Sequence, residues 1–545
     1  MFPIWIQQFA PVGGSPAISA LVAAAPLIVV AACLALLRMR AHFAAPVALA
    51  CALAVAVGPW GMPARLAALS AAQGAAFGIF PVFFIVLATL FLFNLTVAGG
   101  QFEVIRGSLA SVTDDRRIQA LLIAFCFGAF IEGAAGFGAP VAIAGATLAG
   151  LGFRPFYAAG LCLVANTAPV AFGTIGIPIV AMGGVIGLGE PGLRQLSADV
   201  GHQLPFISFI LPAYLVLIIA GARRTWEVLP ALLACGGSFA LCQWLVATRL
   251  GPSLPDILSS LAAMGALLAL LRFWKPRTCF RFADDQPVAP APVLGAPAVA
   301  RAWAPYFALT AMVLLWGEPH VKAALGRTTA LIPVPGLDAA VARPGEGGAP
   351  AEPIAARYKF DYLASSGSAV FIAALFSAAF CGIGARRAAG IFAKTIRDLR
   401  APAVTVASVL ALAYVMNASG MTQCLGILAT RTGRLFPFIA PVVGWIGVFL
   451  TGSDTSSNVL FGGLQKSAAE HLGIDPVLMA AANTSGGVMG KMISPQSLAV
   501  ACAATGRVGE EGSLLRFTLR HSLLLLLIVC CIVYAQAYWL APAAR

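Results

Sequence analysis

The sequence predicts an all-α polytopic membrane protein of about twelve transmembrane helices plus two re-entrant helical hairpins, arranged as an inverted-topology repeat. Three observations predict it. Apolar runs of spanning length recur from end to end, basic residues gather on one side of the resulting layout, and three motif blocks of the first half return in order in the second.

Of 545 residues, 60% are hydrophobic and 10% charged, and the mean hydropathy is +0.91; a soluble domain carries about 25% charged residues. Crossing about 30 Å of hydrocarbon takes roughly 20 apolar residues. The net charge of +13 sits in short clusters between apolar runs, without a basic face interleaved with aromatics, so nucleic acid is not an expected partner and the lipid bilayer is. Twelve cysteines without a CxxC pair indicate neither a disulfide framework nor a zinc site. No cofactor and no metal are expected.

The first run, 17–37, has an uncharged front and is followed by Arg38 and Arg40, the reverse of a signal peptide, and reads as a retained helix. Further spans are predicted at about 43–60, 76–98, 156–189, 205–221, 227–248, 256–271, 302–317, 362–382, 401–417, 476–504 and 518–540. Two apolar stretches, about 118–153 and 436–471, are broken centrally by glycine or polar residues and are predicted to go in and return as hairpins. Residues 284–300 read as a cytoplasmic linker and 318–361 as an outer loop rich in Pro and Gly.

With both termini periplasmic, about 21 Lys and Arg residues fall inside and about 12 outside, among the 34 present. The inside set includes Arg40, Arg116, Arg117, Arg154, Arg224, Arg281, Arg387, Arg400 and Arg507. Reading either hairpin as a single crossing reverses every later segment and spoils the bias. The layout divides the chain into a first repeat, 17–221, linking spans with the linker, 222–301, and a second repeat, 302–540, each repeat holding five spans and one hairpin.

The repeat is visible in the residues. GAFIEG (Gly128 to Gly133) matches GVFLTG (Gly447 to Gly452), and LGFRP (Leu151 to Pro155) matches LGIDP (Leu472 to Pro476). ANTAPVAFGTIGIP (Ala165 to Pro178) then matches ANTSGGVMGKMISP (Ala482 to Pro495). Inverted repeats with broken helices meeting at the bilayer midplane are the architecture of many secondary transporters, and irregular backbone at that depth is tolerated only where it is buried or lines a cavity.

Candidate substrate-binding residues follow from the breaks: Asn166, Thr167, Asn483 and Thr484 in the two ANT blocks, Ser453, Thr455 and Ser456 in the second hairpin, and Lys491. Freed amides at half-helix N-termini attract a carboxylate. The two asparagines either contact substrate or cap broken helices; Lys491 either meets a substrate carboxylate or pairs with an acid; the hydroxyls either bind a 2-hydroxy acid or satisfy the turn. Glu132 and Asp454 lie in the hairpin breaks, where a charge costs about 2.5–3.5 kcal/mol on insertion scales, and are the proton-coupling candidates. For each, a structural tie or cap is the competing role. Gly133, Gly136, Gly138, Gly173, Gly452 and Gly490 are read as backbone positions of the hairpins and helix breaks. The histidines, His42, His202, His320, His471 and His521, mostly sit near span ends and are not read as relays.

At FIEGAAGFGAPVAI, GLCLVANTAPVAFGTIGIP, LTGSDTSSN and ANTSGGVMGKMISPQS the chain resembles the lactate permease family, and the similarity extends over nearly its whole length. The resemblance implies proton-coupled uptake of L-lactate, with glycolate and D-lactate as further substrates, across a bacterial inner membrane. It also implies the larger group of ion-transporter folds with two re-entrant hairpins. The alternative is a sodium-coupled di- or tricarboxylate carrier; Lys491, as the one clear intramembrane cation, argues for a single carboxylate. A membrane-embedded enzyme would want clustered carboxylates for a metal, or a nucleophile with its base, and neither pattern is present.

Overall fold

The computed structural model describes residues 4–37, 39–136, 138–282, 295–344 and 350–540. Arg38 and most of the 284–300 linker lie outside the described residues; the linker's last five residues open the helix Ala296–Gly317. Among the described residues, ten helices are long and apolar enough to cross a membrane, or eleven if a bent pair counts as one span. That pair, Pro155–Ala165 with Val170–Ile186, is bent by 63°; it is the long span expected over 156–189, interrupted within its ANT block. Two of the twelve expected spans, near 43–60 and 362–382, are the shorter helices Ala41–Val57 and Ser366–Phe380. The expected span at 476–504 is two helices, Pro476–Lys491 and Pro495–Ala504.

Both centrally broken stretches form two packed arms. The first runs through Arg116–Ala134, breaks at Ala135–Gly138, and returns along Ala139–Gly150. The second runs along Phe436–Thr451 and returns along Asp454–Leu472. The breaks need glycine: Gly136, Gly138 and Gly452 have φ of 60°, 85° and 71°, which a Cβ penalises.

The returning arms pack crosswise. Ala139–Gly150 lies against Pro495–Ala504, the far half of the second ANT segment, and Asp454–Leu472 lies against Gly173–Ile186, the far half of the first. Small residues let these helices approach closely. Gly486 and Gly490 on Pro476–Lys491 face the backbone of Pro441 and Trp445, and Gly444 on the facing helix meets the backbone of Asn483.

At one end of the bundle, fully buried Arg117 holds Asp115 through both carboxylate oxygens (3.0 and 2.7 Å) and Glu227 at 2.8 Å. Its guanidinium also donates to the carbonyls of Arg224 and Thr278, fixing the foot of the first hairpin. Arg387 donates to the Ala98 carbonyl from the amphipathic helix Ala385–Asp398, whose basic residues are exposed; its low hydropathy hid it among the spans.

The 318–361 segment is more ordered than a Pro- and Gly-rich loop suggests. It holds a helix, Pro319–Gly326, and strands Ala330–Pro333 and Arg357–Phe360 paired antiparallel. Val341–Arg343 pairs with Glu352–Pro353 and, in parallel, with Trp5–Ile6. The strands are only two to four residues long, with Gly336 turning the chain at φ 77°, so no sustained alternation marked them. Because Trp5–Ile6 joins this sheet, the N-terminal segment and the 318–361 segment lie at the same end of the bundle. Ala296–Gly317, 22 residues long and so about 33 Å, separates that end from Gly295. In cysteine-accessibility labelling of intact cells, positions in 318–361 should react with impermeant reagent and positions in Arg386 to Arg400 should be protected until the membrane is opened. Reaction of both sets in intact cells rejects this layout.

Candidate functional site

A cavity of about 250 Å³ lies where the two breaks meet, just below the roughly 300–1,000 Å³ usual for ligand pockets and so suited to a small solute. Each hairpin contributes its acid: Glu132 from the first, Asp454 from the second, with Lys491 from the end of Pro476–Lys491. Ser453, Thr455 and Ser456 line it at the first turn of Asp454–Leu472, as does Gln496 at the start of Pro495–Ala504. Gly173, Thr174, Ile177 and Pro178 line it at the start of Gly173–Ile186. Three helix N-termini therefore converge on one space, and their partial positive charge adds to that of Lys491.

The acids are buried, at 5% and 3% exposure. Glu132 sits beside Gly173, where a Cβ would come 2.7 Å from its Oε1, and its Oε2 has no hydrogen-bond partner among the described residues. Asp454 has no hydrogen-bond partner for either oxygen among the described residues and packs against Gly487. The cap of Asp454–Leu472 is Ser453, whose Oγ accepts from the Ser456 amide at 3.2 Å, so Asp454 is released from capping. Lys491 Nζ donates to the Gly452 carbonyl at 2.6 Å and is in electrostatic range of both acids. The cavity can thus present a cation, converging amide ends and hydroxyls to a carboxylate, with two acids beside them.

The backbone before Ile177 is strained. Thr174 and Ile175 have φ of 48° and 58°, followed by Gly176 at 76°, and for β-branched residues such values are outliers costing of order 1–3 kcal/mol each. This left-handed turn lets the break present Thr174 to the cavity.

The ANT side chains stand behind the cavity rather than in its wall. Asn483 accepts from Gln465 at 3.1 Å and donates to Asn458 at 3.0 Å, and Asn458 donates to the Pro178 carbonyl at 3.1 Å. The chain of amides ties the second hairpin to both ANT segments. Thr167 and Thr484 bond the carbonyls of Val164 and Ala480. Asn166, 3% exposed, lies against Glu132. Gly133 allows close approach to Pro255–Phe273, since a Cβ there would lie 2.8 Å from Asp256 Cβ, and Gly490 does the same against Trp445.

Sequence reasoning missed Asp256 and His42. Asp256 is 1% exposed, neither carboxylate oxygen has a hydrogen-bond partner among the described residues, and it is in electrostatic range of Glu132. His42 lines the cavity, as do Ala401 and Pro402. Its position two residues after Arg40 was the available signal, and it reads equally as an ordinary span end.

The family model described as "L-lactate permease" matches residues 19–540. The chain is 48% identical to an L-lactate permease of Bacillus subtilis over 99% of this chain and 100% of that one. The chain belongs to the L-lactate permease family. This permease is also 44% identical to glycolate permease GlcA of Escherichia coli, over 98% of each chain, and to an L-lactate permease of the same organism, over 99% and 100%. Among solved structures, it is similar to the YdaH transporter of Alcanivorax borkumensis at 15% identity and a TM-score of 0.47, covering 85% of this chain and 86% of that one. The permease is a multi-pass membrane protein of a transporter family.

Proposed function

We propose that this permease takes up L-lactate and related 2-hydroxymonocarboxylates, glycolate and D-lactate among them, by proton symport across a bacterial inner membrane. The observation that carries the reading is the cavity where one lysine and three helix N-termini meet two buried acids, in a chain 44–48% identical over its length to L-lactate and glycolate permeases. One cation suits one substrate carboxylate. Residues 17–221 and 302–540 are two inverted halves, and the two broken stretches are re-entrant hairpins; the crosswise packing of their returning arms supports this. Both termini are periplasmic. Two of the residues that line the cavity, His42 and Ala401, follow Arg40 and Arg400, which the charge bias places inside, so that part of its wall lies toward the cytoplasm.

Charge counting explains the coupling. Lys491 balances one of the two acids, and a substrate anion adds a further negative charge to a site with little water. Binding the anion therefore favours taking up a proton on one acid, because like charges within a few ångströms disfavour joint ionisation. The proton also removes the electrical cost of bringing an anion into a cell negative by 100 mV, about 2.3 kcal/mol.

Purified protein in proteoliposomes, given an inward proton gradient without sodium, should accumulate radiolabelled L-lactate and glycolate but not succinate. Accumulation that requires sodium, or a preference for succinate, rejects the reading.

A further inference from the structure

A second cavity, of about 340 Å³, lies at the opposite end of the same three helices. Gly173–Ile186, Arg400–Ser419 and Asp454–Leu472 line the central cavity with their first turns. They line this one with Gly184 to Ile186, with Tyr414 and Asn417, and with Gly463, Lys466 and Glu470. The 318–361 segment roofs it and contributes Arg343 and Arg357.

We propose that this second cavity is an outer recognition site for small monocarboxylate anions, anchored by Lys466 and assisted by Arg343 and Arg357; it rests on the transport reading above. Its wall carries three cations against one acid, Glu470. Arg357 is 4.0 Å from Asp338, and Lys466 is 3.8 Å from Glu470, so both pairs are loose. Arg343 has no ion-pair partner among the described residues. A concave surface of net positive charge, roofed by protein, concentrates anions. The amides of Gln73, Asn417 and Gln423 in the same wall supply donors and acceptors for a 2-hydroxyl.

The position is as informative as the charge. Between the two cavities the path is shut by contacts onto one helix. Asn458 donates to the Pro178 carbonyl, Gly462 packs on Met182, and Asn417 donates to the Val185 carbonyl at 3.2 Å. The outermost contact is Lys466 Nζ to the Ile186 carbonyl at 2.8 Å. A carboxylate is a stronger acceptor for an ammonium than a neutral carbonyl. An anion captured by Lys466 therefore weakens the contact that closes the outer end, which links recognition at this site to access to the central one.

The test separates the two faces of the membrane. Uptake of L-lactate is measured in right-side-out and in inside-out vesicles carrying wild type, Lys466→Gln or Arg343→Gln, at low and high ionic strength. Losing a charge-assisted bond is worth about 1.5 kcal/mol or more, so Lys466→Gln should raise the outer-face KM about tenfold. Arg343→Gln, which lacks any bond to the closed gate, should raise it about threefold, and salt should shrink both effects. The inner-face KM should stay at its wild-type value, which also reports an intact fold. Equal KM changes on both faces, or none on the outer face, overturn the outer site while leaving wild-type transport in place. A wild type that carries no monocarboxylate in either orientation overturns the transport reading and this site with it.

Discussion

Gly486→Ala should leave far less folded permease in the membrane than wild type and lower the melting temperature of what remains. A Cβ at 486 would fall on the backbone of Pro441, too close to the carbonyl and Cα to be accommodated. The obstruction is main chain, so no side chain can rotate away, and Pro476–Lys491 and Phe436–Thr451 would have to separate. Overpacking a close contact costs about 1–3 kcal/mol, occasionally more, and these two helices also hold Gly444 against Asn483 and Gly490 against Trp445, so one displaced contact strains its neighbours. Gly265→Ala is the control: nothing lies within 4 Å of a Cβ there, and Ala exceeds Gly in helix propensity by about 1 kcal/mol. Size-exclusion profiles and thermal melts in detergent should show Gly486→Ala well below wild type and Gly265→Ala at or above it. Equal stability of the two variants would disprove the close approach.

What the sequence disclosed and what it hid separate along physical lines. The helix breaks were legible because glycine, proline and Asn-Thr signals act locally: the turn at Gly136 and Gly138, the bend after Ala165, and Gly452 fall where the motif blocks put them. Glu132, Asp454 and Lys491 were legible one by one as charges set in the breaks, and the structure lines one cavity with all three. Asp256 was not legible. It occupies the first turn of Pro255–Phe273, where an acid is commonplace, and only the absence of a side chain at Gly133 brings it beside the first hairpin. The partners of Asn483 were hidden for the same reason, because Gln465 and Asn458 reach it through packing that no spacing encodes. His42 borders the central cavity only because Ala41–Val57 packs against Arg400–Ser419, a contact between residues far apart in the chain.

Glu132→Gln should abolish accumulation of L-lactate driven by a pH gradient while sparing exchange of internal for external L-lactate. Glutamine keeps the shape beside Gly173 and Asn166 but can no longer exchange a proton with solvent, and exchange needs no net proton movement. Asp454→Asn is the paired test, since both acids face Lys491 and either can take the proton that a substrate anion draws in. We expect the larger loss at Glu132, whose side chain is set among apolar and glycine residues, FIEGAAGFG; Asp454 stands in a first turn with Thr455 and Ser456. Asp256 distinguishes a lone carrier from a relay. It is buried, without a hydrogen-bond partner among the described residues, and close enough to Glu132 for their charges to interact, yet it does not line the cavity. If Glu132 passes its proton onward through Asp256, Asp256→Asn should reduce pH-driven accumulation at least tenfold without raising the KM for exchange. If Glu132 releases it directly to the cavity, Asp256→Asn should accumulate L-lactate at the wild-type rate. Should Glu132→Gln and Asp454→Asn each accumulate L-lactate against its gradient as wild type does, neither acid is the obligatory carrier, and His42 in the cavity wall is the next group to replace.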